Sequence, residues 1–388
     1  MIPYSRQNIN QSDINSVTKI LKSNFLTQGP TVKNFEEKIK KLVKSKFAVS
    51  ANSATSALHL ACLALGIKKN DVVWTVPNTF AASANCAINC GARIDFVDID
   101  ELTFNISINE LEKKLIRTPK KKLPKLLIPV HLGGQPSEQK KIWSLSRKYK
   151  FKILEDASHS IGAKHFGEPV GSCKWSDITV FSFHPVKIIT TGEGGMATTN
   201  NLKYAQKMEL FRTNGIVKDK AKFLFRKKIK QPWYYEQQSL GFNYRMNDIS
   251  AALGISQLKR LKIFLTKRNK IAKIYKSQLN PPFFRLQKIL RHNYSSFHLV
   301  LVQLNLKKFK YSYENIFKRL RKKKFFVNLH YMPLHTNPFF LKRGFKKKQF
   351  PVSEKYGNCS LSLPVYPDLQ VKKVTEICKL LKSFIKKN

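Results

Sequence analysis

Ile178-Thr-Val-Phe-Ser-Phe-His-Pro-Val-Lys-Ile-Ile-Thr-Thr-Gly-Glu-Gly-Gly195 runs from an apolar strand into a glycine-rich turn, with Lys187 between the two. A lysine just past a strand end sits on a loop that the sheet holds still. Packed there, its ammonium loses hydration. Desolvation disfavours the charged form, so a neutral amine becomes available to attack an aldehyde. In a chain this rich in lysine, one lysine decides little, and the surrounding pattern carries the reading.

Upstream, strands and helices alternate. Ser12-Asp13 is placed to cap a first helix carrying Ile14, Val17, Ile20 and Leu21 at helical spacing, and a second amphipathic helix runs through Phe35, Ile39 and Leu42. Phe47–Val49 is a short strand feeding a helix over Ala54–Leu65. Val72–Val76 is a strand ended by Pro77, with a helix from Phe80. Ile94–Val97, Leu126–Val130, a helix over Gln139–Tyr149, and Lys152–Leu154 continue the series. Such alternation predicts an α/β fold with a mainly parallel sheet covered on both faces, and ligands in such sheets lie outside the carboxyl ends of the strands. The residues with chemical potential fall at those ends: Asn52-Ser53, Asn78–Phe80, His131, Asp156 and Ser182. Beyond about residue 260 the pattern becomes short strands such as His298–Gln303 and amphipathic helices such as Tyr313–Arg321. We read a large domain over 1–255 with an N-terminal arm, and a smaller α+β domain over 256–388. Val217–Tyr235, charged and aromatic with poor periodicity, reads as a long loop.

The 388 residues suffice for a large core, and a hydrophobic share of 42% suits a globular enzyme rather than a disordered chain. Lys+Arg total 71 against Asp+Glu 24, a formal net charge of +47. The basic runs (Lys120–Lys122, Arg226–Lys228, Arg321–Lys324, Lys346–Lys348, Lys386-Lys387) are spread along the chain, without an RNA-recognition, zinc-finger or basic-zipper pattern. They read as a solvated surface rather than a nucleic-acid interface, and as a field that would attract an anionic substrate. The six cysteines show no paired zinc spacing. Met1–Arg6 lacks the charged-then-apolar layout expected of a signal peptide, and the most apolar stretch, Ala54–Ile67, is too short to span a bilayer. These features predict a reduced, cytoplasmic protein without membrane insertion.

Asn52-Ser-Ala-Thr-Ser-Ala57 joins a strand to a helix. Small residues there let backbone amides approach an anion, although the same pattern also serves as a plain cap. In Glu155-Asp-Ala-Ser-His-Ser160, Asp156 can pair with a protonated pyridine nitrogen, with Glu155 as its local competitor. His159 can lie beside such a ring. Phe80 can cover a ring face or belong to the core. Arg245, in Asn243-Tyr-Arg-Met-Asn-Asp248, suits phosphate or carboxylate through its planar fork, or is simply exposed. His330-Tyr-Met-Pro-Leu-His335 has no third ligand at metal spacing, so no metal site is expected. Amine, anion cradle and carboxylate together are what pyridoxal 5'-phosphate requires.

Over nearly its whole length the chain resembles the DegT/DnrJ/EryC1/StrS family of nucleotide-sugar aminotransferases. The resemblance rests on Leu26-Thr-Gln-Gly-Pro30, Pro77-Asn-Thr-Phe-Ala-Ala-Ser-Ala84, Glu155–His159, Val180–Lys187, Thr191–Gly195, Gly241–Asn247 and Leu361–Pro364. It implies an aspartate-aminotransferase-like fold (fold type I) and a homodimer with shared active sites. Lys187 becomes the Schiff-base lysine and Asp156 the partner of the pyridine nitrogen, with His159 near the ring oxygen and Phe80 against the ring. Ala54, Thr55 and Ser182 hold the phosphate, joined by Asn243 from the other chain. Tyr4, Leu26, Thr27, Gln28, Asn328, Leu329, His330 and Tyr331, with Arg245, fall to substrate. The implied reaction moves an amino group from glutamate to the C4 ketone of a UDP-linked 4-keto-6-deoxy-N-acetylhexosamine, as in pseudaminic acid biosynthesis. Bacillosamine- or perosamine-type sugars are the alternatives. A basic nucleic-acid or membrane-surface protein on the same scaffold is the alternative of another class.

Overall fold

The computed structural model describes residues 1–225 and 231–386. Its centre is a seven-stranded sheet. From edge to edge the strands are Phe47–Ala51, Gly195–Thr199, Ile178–Ser182, Lys152–Asp156, Leu126–Leu127, Val72–Thr75 and Arg93–Phe96. All neighbours pair in parallel except Gly195–Thr199, which runs antiparallel to both of its own. The expected mainly parallel α/β sheet is therefore present.

Successive strand residues point to opposite faces, and the sequence supplies apolar side chains on both. On one face Leu154, Ile178, Val180 and Ala197 pack with the helix Ala54–Ala64 and with Ala205 and Met208 of Leu202–Arg212. On the other, Phe181 and Met196 meet Phe35 and Ile39 of the helix Pro30–Val43 and Ala251 of Asp248–Leu258. A second apolar cluster surrounds an antiparallel sheet of Phe284–Leu286, Val300–Leu304 and Ser360–Leu363. The helix Leu261–Gln278 serves both clusters, with Leu261, Phe264 and Leu265 in the first and Ile271, Ala272 and Tyr275 in the second. At the amino end, Ile2–Pro3 pairs in parallel with Phe325–Phe326.

Several expected boundaries move for identifiable reasons. The strand expected over Leu126–Val130 has its ladder only at Leu126–Leu127. Pro129 has no N–H to give, although its carbonyl accepts from the Asp156 N–H at 2.9 Å and Val130 still bridges to Asp156. The helix expected from Phe80 starts at Ala82, after the Pro77–Thr79 turn. The first helix, Gln11–Leu21, is capped by Asn10 rather than Ser12-Asp13. Asn10 accepts from the Asp13 N–H, and the Asp13 carboxylate accepts from the Asn10 N–H at 3.0 Å. Asp13 is buried and also receives Gln257 Nε2 at 2.8 Å and an ion pair from Arg260, so a local cap doubles as a tertiary anchor. Of the segment Val217–Tyr235, Ile216–Val217 pairs with Glu236–Gln237 and Lys220–Lys222 forms one 3-10 turn. The basic run Arg226–Lys228, the middle of that segment, and Lys387 lie outside the described residues. The six cysteines are free, and among the described residues no helix is long and apolar enough to cross a membrane.

Removing the buried Asp13 carboxylate would strand the Arg260 guanidinium. Asp13→Ala should lower the unfolding free energy by about 3 kcal/mol, read from the shift of the denaturant midpoint.

Candidate active site

Two strand ends and one helix start converge on a cavity of about 620 Å³. Asp156 is the last residue of Lys152–Asp156, and Ser182 is the last of Ile178–Ser182. Because side chains alternate along a strand, Glu155 and Asp156 face opposite ways. Glu155 is buried under Thr179 Oγ1 at 2.7 Å, Ser176 Oγ at 3.1 Å and the Gln139 amide, and does not line the cavity. Asp156 does. Its Oδ2 accepts from Ser83 Oγ at 2.6 Å and its Oδ1 from the Ser158 N–H at 3.1 Å. Thr79 Oγ1 lies 2.6 Å from Ser83 Oγ and extends this chain of hydroxyls.

Lys187 enters from a loop pinned at both ends. The Phe183 N–H donates to the Gly194 carbonyl at 2.9 Å and the Thr191 N–H to the Phe183 carbonyl at 3.0 Å. Ser5 Oγ donates to the Val186 carbonyl at 2.6 Å, so the N-terminal arm steadies the loop from outside. Burial of the amine lowers the Lys187 pKa to about 8, against the opposing pull of the Asp156 charge.

Ser53 caps the helix Ala54–Ala64, its side chain accepting from the Ser56 N–H. The first N–H groups beyond the cap have no intrahelical acceptor and face the cavity that Ala54, Thr55 and Ser182 line. The antiparallel strand brings Gly195 directly beneath. A β-carbon there would lie 2.6 Å from Ala54 N and Cα, so glycine is what allows strand and helix start to close on each other.

The opposite wall is aromatic. Tyr4 and His330 have ring centroids 4.6 Å apart, and Tyr331 lies roughly parallel to His159, with centroids 6.1 Å apart. His159 Nδ1 accepts from the Gly133 N–H at 3.3 Å, which leaves the Nε2 proton to face Tyr331 Oη at 3.1 Å. Burial, then the Lys187 and His330 charges, keep the His159 pKa well below the usual imidazole value. Burial likewise lowers the His330 pKa to about 3 and raises that of the Tyr331 hydroxyl. Phe80, 59% exposed, stands at the mouth, 6.0 Å from Tyr331.

The cavity thus gathers Lys187, Asp156, His159, Ala54, Thr55, Phe80 and Ser182, together with Tyr4 and Asn328, Leu329, His330 and Tyr331. It does not gather Leu26, Thr27, Gln28, Asn243 or Arg245. Leu26–Gln28 is exposed and lies along Asn247–Asp248, through the Thr27–Asn247 bridge and the Asp248 N–H to the Leu26 carbonyl at 2.9 Å. Asn243 is exposed and bridges Thr213, and Arg245 is half-buried. The sequence reading missed Ser83, Ser158, His184 and His298. Ser83 had a weak signal: it lies four residues after Thr79, just past a strand end. His298 had none, because it arrives from the C-terminal cluster.

A reactive amine, a carboxylate held by two donors, an anion cradle closed by a glycine and flat side chains on either side fit pyridoxal phosphate group by group. Fold and site together define a pyridoxal-phosphate-dependent aminotransferase. The chain belongs to the DegT/DnrJ/EryC1/StrS aminotransferase family, which matches residues 7–382. A UDP-4-amino-4,6-dideoxy-N-acetyl-beta-L-altrosamine transaminase of Campylobacter jejuni is 37% identical over 388 residues, covering 100% of this chain and 98% of that one. Helicobacter pylori PseC, an aminotransferase involved in the biosynthesis of pseudoaminic acid, superposes with a TM-score of 0.88 at 29% identity over 99% of both chains. The PLP-form of Streptococcus pneumoniae Spr1654 superposes with a TM-score of 0.88 at 27% identity, covering 99% of this chain and 98% of that one.

An amine with a pKa near 8 is neutral in about a tenth of molecules at pH 7, against about 0.04% for an ordinary lysine. The rate at which apoenzyme captures pyridoxal phosphate should therefore rise about tenfold from pH 7 to 9 and level off. An ordinary lysine would give about a hundredfold without levelling. Stopped-flow absorbance distinguishes the two.

Proposed function

We propose that this enzyme transfers the amino group of glutamate to the C4 ketone of a UDP-linked 4-keto-6-deoxy-N-acetylhexosamine, the amination step of a pseudaminic-acid-type route. The observation that carries the reading is the Lys187 amine set opposite Asp156 above the cradle at the start of Ala54–Ala64. The full-length likeness to the Campylobacter jejuni transaminase supports the choice of sugar.

The chemistry that pyridoxal phosphate supplies when bound is an electron-withdrawing ring that takes up charge developing at the reacting carbon and carries nitrogen between the two substrates. The chain's residues do the rest. Lys187, with its lowered pKa, would take the proton from the glutamate α-carbon and pass it to the cofactor's reacting carbon, and in the second half-reaction would carry a proton the other way, onto C4 of the sugar. Asp156 holds the proton of the pyridine nitrogen, and Ser83 and the Ser158 N–H hold Asp156 in that orientation. Ser182, Thr55 and the amides of Ala54 and Thr55 fix the phosphate. Tyr4 and the segment Asn328–Tyr331 form the wall against which the sugar lies. We assign Leu26–Gln28, Asn243 and Arg245 to a second copy's site in a homodimer. The exposure of Leu26–Gln28 and Asn243, together with that of Phe25 and Leu240, supports this assignment.

Glutamate should bleach the visible absorption of the bound cofactor in the wild type. Lys187→Ala should bind the cofactor without interconverting at a useful rate. A panel of UDP- and GDP-linked 4-keto sugars then reads the acceptor, and turnover of a GDP sugar alone would replace this substrate with a perosamine-type one. A chain that takes up no cofactor and binds nucleic acid in a salt-dependent way would replace the enzyme reading altogether.

The net charge of +47 should accelerate capture of the anionic diphosphate. For the sugar half-reaction, kcat/KM should fall as salt is raised from low to physiological strength, with kcat unchanged. A flat profile would separate the surface charge from catalysis.

A further inference from the structure

Glu138, His165 and His292 present ligand atoms within 4.8 Å of one another, and none of the three lines the catalytic cavity. They come from three separate segments. Glu138 immediately precedes the helix Gln139–Tyr149, His165 lies in the short strand Lys164–His165, and His292 precedes the strand Asn293–Tyr294 that pairs with it.

The hydrogen bonds fix which atoms are available. Asn293 Nδ2 donates to the Pro136 carbonyl at 2.9 Å, so its Oδ1 is the acceptor 2.7 Å from His165 Nδ1. His165 Nδ1 therefore carries the proton and Nε2 a lone pair, met by the Lys140 N–H at 3.4 Å. An imidazole whose far nitrogen donates to a fixed oxygen is the usual arrangement behind a metal-bound histidine. His292 Nε2 stands 3.2 Å from Glu138 Oε2. Donor atoms bonded at about 2.0–2.1 Å to a tetrahedral ion stand about 3.3–3.4 Å apart, so this pair already has the spacing of one tetrahedral edge. The His292 ring is held in plane by Phe166, stacked on it at 4.3 Å, while the Phe166 N–H donates to the His292 carbonyl at 2.8 Å. Lys141 Nζ lies 3.1 Å from the other Glu138 oxygen; it is largely exposed and can swing into solvent.

We propose that Glu138, His165 and His292 bind a divalent transition-metal ion of the zinc class, with a fourth position taken by water on the partly exposed side of Glu138 and His292. Its effect is to clamp segment 292–298 onto the chain around residues 134–138. That segment matters to the catalytic cavity: Ser296 Oγ donates to the His159 carbonyl at 2.8 Å, and His298 lines the cavity itself.

The test is a Zn²⁺ competition against a chromogenic chelator, using holoenzyme with its cofactor bound. Wild type should withhold one equivalent per chain from the indicator, and saturating Zn²⁺ should raise its thermal midpoint. Glu138→Gln and His292→Ala should each weaken binding by about tenfold or more and abolish the rise in midpoint, while keeping the wild-type circular dichroism and cofactor absorption. Both side chains are partly exposed, at 19% and 25%, so these variants avoid emptying the fully buried His165 position. No withheld equivalent, or one that survives both substitutions, overturns the proposal. Neither result depends on which sugar is aminated.

Discussion

The site depends on an opposition between two effects acting on Lys187. Burial drives the amine toward neutrality, and the Asp156 carboxylate across the cavity draws it back toward charge. Burial prevails, but only partly, and the amine is left able to exchange a proton near neutral pH. Much of the architecture serves that balance. The strand end fixes Asp156, two donors orient it, and the Phe183–Gly194 and Ser5–Val186 hydrogen bonds prevent the Lys187 loop from swinging into water.

The layered architecture could be read from the sequence because its signals are local. Alternating apolar strands, small residues at helix starts and the glycine pair before Met196 announce a parallel sheet and an anion cradle without reference to anything distant. The choice between Glu155 and Asp156 is different in kind. Strand geometry says only that they face apart. Deciding which one faces the cavity needs Thr179, Ser176 and Gln139, which claim Glu155 from other segments. The Asn10 cap was overlooked for a similar reason, since Ser12-Asp13 had a plausible local reading. Asp13 gains its importance from Gln257 and Arg260, far along the chain. His298 and the Glu138–His165–His292 group likewise have no sequence signature, because their members meet only after folding.

The two apolar clusters are joined through shared elements rather than through a bare linker. The helix Leu261–Gln278 passes from one to the other, and Leu299, Leu301 and Tyr356 pack beside Trp74, Leu127 and Ile153 of the main sheet. The aromatic wall of Tyr331 and His330 is thereby carried on a scaffold that is packed to the strands holding Asp156. Motion of that wall would have to disturb a continuous core, which favours a pre-formed cavity over one assembled when substrate arrives.

The pairing of Ile2–Pro3 with Phe325–Phe326 has a consequence for biosynthesis. Ile2–Pro3 has no strand to join until the segment around residue 326 has emerged. Tyr4, whose ring meets His330, must wait until that part of the chain is made, whereas the Val186 carbonyl that Ser5 bonds is made much earlier. The main sheet can form earlier, because its strands lie within the first 199 residues. A nascent chain released early would hold Lys187 and Asp156 on a formed sheet with the arm unpaired, and so would lack a closed catalytic centre. The closed catalytic centre thus depends on a two-residue ladder that joins segments more than three hundred residues apart.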